Sequence, residues 1–232
     1  FIALDQLDEI GVKNCRFILE PVPRNTAAAV ALSCIDAVKN GSETVLITPS
    51  DHLVKNENIY KKVIGKGVSE AVKGGIIMFG IKPSYPETGY GYIEALNTAA
   101  SYNNSNDLNN LNKQPLNTVY PVVSFKEKQD TETAAEYISK VNFYWNSGML
   151  LVRPEMLNEL KAVCPAIYEN SEYAYENSSK DGLMIRVKEE DMLKIEENSI
   201  DFALLEKTKS VRVVESDFDW SDLGNFDSIY CE

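Results

Sequence analysis

The sequence predicts an α/β fold: a mixed, mostly parallel sheet with helices on both faces. Two observations predict it. Short apolar runs of strand length alternate with helix-length segments over residues 17–81. Two acidic segments, Thr48-Pro49-Ser50-Asp51-His52 and Asp219-Trp220-Ser221-Asp222-Leu223-Gly224, each follow such a run, where open α/β sheets keep their chemistry.

Residues 1–10 carry apolar side chains at Ile2, Leu4, Leu7 and Ile10 and predict a helix stopped by Gly11. They lack the basic start of a signal peptide. A domain rarely begins inside a helix, so the chain is expected to be an N-terminally truncated piece. Phe17-Ile18-Leu19-Glu20 predicts a strand. Residues 26–39 predict an Ala-rich helix, capped by Asn25 or Thr26 and ended by Asn40-Gly41. Residues 44–48 predict a buried strand ending at Asp51, residues 58–72 a helix weakened by Gly65 and Gly67, and residues 76–81 a second buried strand.

The pattern then changes. Residues 91–95 and 119–125 predict a strand pair around an Asn-rich stretch, 97–117, read as a mobile insertion. A helix is expected at 131–140, then the segment 143–152 with Trp145-Asn146-Ser147-Gly148, then helices at 154–163, 165–177 and 199–207, and a last strand at 211–214. No repeat or linker divides the chain, so residues 1–232 are read as one domain.

Composition excludes several classes. With 232 residues, 44% of them hydrophobic, the chain can bury a core. No run approaches the roughly 18 apolar residues of a membrane span. A formal charge of −12 argues against a nucleic-acid surface. It does not argue against a mononucleotide, whose charge a cation can offset locally. Four scattered cysteines and one histidine argue against a zinc cluster and for free thiols in a cytoplasmic protein.

Several segments carry chemistry, each with a plainer alternative. Arg24-Asn25-Thr26, at a helix start, offers amide and side-chain donors to a purine edge or phosphate; alone, it is an ordinary cap. Asp51 suits a divalent cation or an N-cap equally. His52 has no partners for a triad and is read as structural or as a group behind the ligands. Pro86-Glu87-Thr88-Gly89-Tyr90-Gly91-Tyr92 lets backbone approach a ligand, or merely turns. Phe125-Lys126-Glu127-Lys128 can meet sugar hydroxyls and a phosphate monoester, or is a solvated charge run. Asn146 can bond a sugar hydroxyl; otherwise Trp145 is core beside a bulge. The turn at Asp222 is either a second ligand or a capping turn.

Taken in order, these words, with Gly80-Ile81-Lys82-Pro83, Ser199-Ile200-Asp201-Phe202-Ala203 and Glu206-Lys207-Thr208, closely resemble the mannose-1-phosphate guanylyltransferases of the sugar-nucleotidyltransferase superfamily. The resemblance covers nearly the whole chain except the Asn-rich stretch. It implies a Rossmann-like fold of the nucleotide-diphospho-sugar transferase type and the reaction of GTP with mannose 1-phosphate to give GDP-mannose and pyrophosphate. It implies that Asp51 and Asp222 hold Mg²⁺, that Arg24, Asn25 and Thr26 lie at the guanine, and that Gly89, Glu127, Asn146 and, more weakly, Glu94 contact the mannose. Lys128 would hold the sugar phosphate. A homodimer is left open.

The chain departs from the family in lacking its Gly-rich phosphate loop and first strand, so this piece alone is expected not to turn over. Gln129 stands where the family usually has proline. The competing readings are a sibling enzyme for another base or sugar, and a non-catalytic sugar-nucleotide binder.

Overall fold

A computed structural model of the chain describes residues 2–96, 118–126, 129–224 and 230. The Asn-rich stretch 97–117 and the pair Glu127 and Lys128 lie outside the described residues. The chain divides into two compact units: residues 1–41 with 157–204, and residues 42–156 with 205–232.

In the first unit, α1 (Ile2–Glu9) ends as the sequence requires, with Gly11 at φ 76°. None of its side chains is buried. Strand β1 (Phe17–Leu19) pairs in parallel with β9 (Met184–Arg186), which pairs antiparallel with β8 (Ser179–Asp181). This strand therefore belongs to a small three-stranded sheet.

Helix α2 (Asn25–Lys39) buries Ala27, Ala28, Val30, Ala31, Leu32, Cys34 and Ile35, more than one stripe of its surface. Burial pushes the Cys34 thiol up to about 12. The cap differs from expectation: Arg24 is the N-cap and gives no side-chain bond. Asn25 is already helical in position but left-handed, at φ 61°, and its Oδ1 accepts from Thr26 N at 2.7 Å. Thr26 Oγ1 is turned to Ile200 N at 2.9 Å. Helices α5 (Met156–Val163, in this unit from Leu157), α6 (Pro165–Glu176) and α7 (Glu189–Met192) complete the unit. The expected helix at 199–207 is reduced to a π-helical turn, Asp201–Leu205.

The second unit carries a six-stranded sheet in the order β2-β7-β4-β10-β6-β5, with a further β7–β5 pairing. Its strands are β2 (Val45–Ile47), β4 (Ile76–Ile81), β5 (Tyr92–Ala95), β6 (Val119–Lys126), β7 (Phe143–Val152) and β10 (Val211–Ser216). The sheet is mixed, as expected, but only β10 and β4 pair in parallel. The reason is β7. Its ten residues run antiparallel to both β2 and β4, lying between them. Strands β2 and β4 thus point the same way across helix α3 (Glu57–Ala71), as a βαβ crossover demands, without bonding each other. The predicted buried strand at 44–48 is an edge strand for the same reason, and Leu46 is exposed.

One face of this sheet packs Ile77, Phe79, Trp145, Leu151 and Val214 against Val63 and Ala71 of α3 and Ala134 of α4 (Thr131–Ile138). Gly67, counted against α3, is required there: a Cβ would stand 2.8 Å from Phe79 Cζ. The other face, with Ile76, Met78, Leu150 and Val213, is buried as well. Among the described residues no helix is long and apolar enough to cross a membrane.

Candidate active site

The two acidic segments meet. After Phe218, Asp219 adopts φ 52°, a left-handed turn that aspartate tolerates better than most residues. The chain then enters β11 (Trp220–Asp222), which pairs antiparallel with β3 (His52–Val54). Trp220 lies opposite Val54 and Asp222 opposite His52. Leu223 N donates to Asp51 O at 3.0 Å, and Lys55 N and Asn56 N donate to Asp219 O and Phe218 O at 3.1 and 3.2 Å. The second segment is therefore strand over Trp220–Asp222 rather than a capping turn, and the first enters its strand at His52. The cap of α3 is Asn56, whose side chain accepts from Ile59 N at 3.2 Å, so Asp51 is not the cap of that helix.

The carboxylates of Asp51 and Asp222 both stand near one imidazole nitrogen. His52 Nε2 lies 3.9 Å from Asp51 Oδ1 and 3.9 Å from Asp222 Oδ2. The two oxygens are consequently within twice that distance of each other. Asp51 is 63% exposed and Asp222 32%. Asp222 Oδ1 accepts from Gly224 N at 2.7 Å, which fixes its plane.

The Trp145-to-Gly148 segment and Tyr90 pack beside these two acidic segments. Gly148 has φ 68°, and a Cβ on it would come within 3.2 Å of Pro49 Cγ and 3.6 Å of His52 Cε1. The Trp145-to-Gly148 segment is thereby seated on the first acidic one. Asn146 N donates to Gly91 O at 2.8 Å, and Asn146 Oδ1 accepts from Gly148 N at 3.0 Å. Trp145 is core, as its plainer alternative held, next to a register shift between Met78 and Gly80.

Four rings line the region edge to face. Tyr85 and Tyr90 lie 4.9 and 5.4 Å from Trp145, and Tyr90 lies 5.2 Å from Trp220. Burial, and then the neighbouring Tyr85, Asp222 and Glu87, push the Tyr90 phenol far above its ordinary value, so it stays a neutral hydroxyl.

Gly148→Ala is expected to destabilise the chain by about 1–2 kcal/mol, the cost of placing an L side chain in the left-handed region. A urea melt reads this as a lower midpoint. An unchanged midpoint would show that the segment relaxes freely away from Pro49.

The other expected residues fall as follows. Gly89 N is taken by Glu87 Oε1 at 2.7 Å, so its amide is engaged within the loop. Glu94 lies further along β5, with Oε2 accepting from Ser124 Oγ at 2.7 Å. Arg24, Asn25 and Thr26 belong to the first unit. There Arg24 donates from Nε to Met192 O at 3.3 Å and from Nη2 to Leu193 O at 2.8 Å. Two of the helix-start amides expected to be open are engaged, Thr26 N by Asn25 Oδ1 and Ala27 N by Asn198 O at 3.1 Å. Sequence reasoning missed Tyr90, Trp220 and Pro49 as site residues.

Among the described residues no group of three or more His, Cys, Asp or Glu side chains could hold a metal ion by itself. Two carboxylates still fit Mg²⁺, which typically takes one or two protein carboxylates and completes its shell with water and substrate phosphate.

An α/β sheet with two carboxylates near one imidazole nitrogen beyond its strand ends, beside a cluster of aromatic rings, defines a class of ligand-handling domain. Over residues 2–232 the chain matches the family model described as nucleotidyl transferase, and it belongs to that family, within the sugar-nucleotidyltransferase superfamily. It is similar to the mannose-1-phosphate guanylyltransferase of Sinorhizobium fredii, with 39% identity over 99% of this chain and 42% of that protein. It is also similar to the xanthan biosynthesis protein XanB of Xanthomonas campestris, with 36% identity over 99% of this chain and 46% of that one. Among solved structures, a Helicobacter pylori protein named mannose-6-phosphate isomerase superposes with a TM-score of 0.78, at 32% identity over 96% of this chain and 80% of that one. The chain spans less than half the length of these curated relatives.

Proposed function

We propose that the protein transfers a guanylyl group from GTP to mannose 1-phosphate in the cytoplasm, giving GDP-mannose and pyrophosphate. The observation that carries this reading is the β3–β11 pairing, which brings Asp222 opposite His52 so that Asp51 and Asp222 each have an oxygen 3.9 Å from the same imidazole nitrogen. The printed names of relatives such as the Sinorhizobium fredii protein support guanine and mannose.

In this reading a phosphate oxygen of mannose 1-phosphate attacks the α-phosphorus of GTP in line. The bond from that phosphorus to the bridging oxygen breaks, and pyrophosphate leaves with the electron pair. Positioning and charge neutralisation do most of the work. Asp51 and Asp222 would hold Mg²⁺, which when bound offsets phosphate charge. Lys128 would hold the sugar phosphate. Glu127, Asn146, Glu94 and the backbone at Gly89 would meet the sugar hydroxyls. The resemblance would also assign Arg24, Asn25 and Thr26 to the guanine.

The test is pyrophosphate release by the full-length gene product, over a panel of nucleoside triphosphates and sugar phosphates. GTP with mannose 1-phosphate and Mg²⁺ is expected to be the preferred set. Preference for another base or sugar would move the protein to a sibling activity. Metal-independent GDP-mannose binding with no turnover would make it a binder. Both tryptophans of the chain, Trp145 and Trp220, are among the rings that line the site, so their fluorescence is expected to change when GDP-mannose binds.

A further inference from the structure

We propose that His52 is a positioning residue for the acidic pair: Trp220 fixes its tautomer, and the resulting Nε2–H holds the Asp51 and Asp222 carboxylates toward one point. The inference rests on the nucleotidyl-transfer reading for its use, though not for its geometry.

The indole is a donor only. Trp220 Nε1 approaches His52 Nδ1 at 3.1 Å, so Nδ1 must accept and carry no proton. A neutral imidazole then bears its hydrogen on Nε2, the nitrogen that lies 3.9 Å from both carboxylates. The ring cannot easily turn away. Its side chain is 10% exposed, and it meets Trp220 edge to face at 5.1 Å and 85°.

At 3.9 Å neither carboxylate contact is a formed hydrogen bond. The N–H dipole instead faces two like charges and offsets part of their mutual repulsion. Holding ligands in place from behind is the usual work of groups outside the coordination sphere, and losing one typically costs roughly 10–100-fold in metal affinity or activity.

The chain has a single histidine, so the imidazole nitrogens of the ¹⁵N-labelled 232-residue protein give one unambiguous set of signals. Nδ1 is expected to resonate as an unprotonated nitrogen and Nε2 as a protonated one. Trp220→Phe is expected to release the ring to a tautomer mixture.

In the same chain, Mn²⁺ titrated alone and followed by electron paramagnetic resonance is expected to bind roughly 10–100-fold more weakly to His52→Asn. That variant leaves no donor where Nε2 stood. His52→Gln, which places an amide nitrogen there, is expected to recover most of the affinity. The same two variants in the full-length gene product should shift the Mg²⁺ concentration for half-maximal rate in the same order.

A protonated Nδ1, or equal Mn²⁺ affinity in the Asn and Gln variants, overturns the proposal. Turnover of GTP and mannose 1-phosphate with metal affinity indifferent to His52 leaves the enzymatic reading standing and removes the positioning role. His52-dependent Mn²⁺ binding without that turnover does the reverse.

Discussion

Asp222→Asn in the full-length gene product is expected to lower kcat for nucleotidyl transfer by about a thousandfold or more, with the fold retained. The substitution keeps shape and size, and the amide oxygen can still accept from Gly224 N, the 2.7 Å bond that sets the side-chain plane. What disappears is one of two negative charges facing His52. A cation held by two carboxylates contributes several kcal/mol of charge stabilisation in phosphate chemistry, and each factor of ten in rate is about 1.4 kcal/mol. Asp51→Asn is expected to do comparable damage, and the double variant little more than either alone, because groups that share one task are not additive. Circular dichroism and the urea midpoint serve as the folding control. Unimpaired turnover in the Asp222 variant would remove that residue from the mechanism. A loss for Asp222 with none for Asp51 would break the pair.

How far the sequence spoke for itself depended on whether the physics was local. Helices α2, α3 and α4 were legible because apolar spacing acts over a few residues, though the cap of α2 was not, and the ends at Asn40-Gly41 and Gly11 followed from glycine's freedom. The pairing of β7 between β2 and β4 was not legible. A fully apolar strand fits a parallel or an antiparallel neighbour equally well, and β7 is far from both in sequence. The exposure of Leu46 follows from that same arrangement. Asp51 and Asp222 were visible as acidic residues after apolar runs. The three-residue strands that bring them together were not, because His52–Val54 and Trp220–Asp222 are too short to carry a periodic signal. The motifs at Arg24 and Gly89 show the reverse case. Their residue types suited ligand donors, yet Arg24 is bonded to the backbone at Met192 and Leu193, and the Gly89 amide to Glu87.

Glu70→Gln is expected to destabilise the second unit by about 2–3 kcal/mol, the largest stability effect at any single charged side chain described here. Glu70 is buried, its side chain 9% exposed, at the end of α3. Its Oε1 accepts from Lys73 Nζ at 2.8 Å and Lys66 Nζ at 3.0 Å, and its Oε2 from Arg212 Nη1 at 3.2 Å. Arg212, on β10, also donates from Nη2 to Glu70 O at 2.8 Å and to Gly74 O, so one guanidinium ties the helix end to the sheet. The two lysines are 42% and 64% exposed, and water would take over their solvation, which holds the loss below that of a fully buried triad. Bonds from Lys73 and then Lys66 hold the Glu70 carboxyl below its ordinary value of 4.5. A folded-state value depressed in this way means stability that is present above the ordinary carboxylate range and is lost as pH falls through the lowered folded value. Urea midpoints of wild type and Glu70→Gln are therefore expected to differ fully at pH 7 and to converge below pH 4.5. A gap that persisted undiminished into strong acid would mean that packing of the Glu70 methylenes, and not its charge, secures the end of α3.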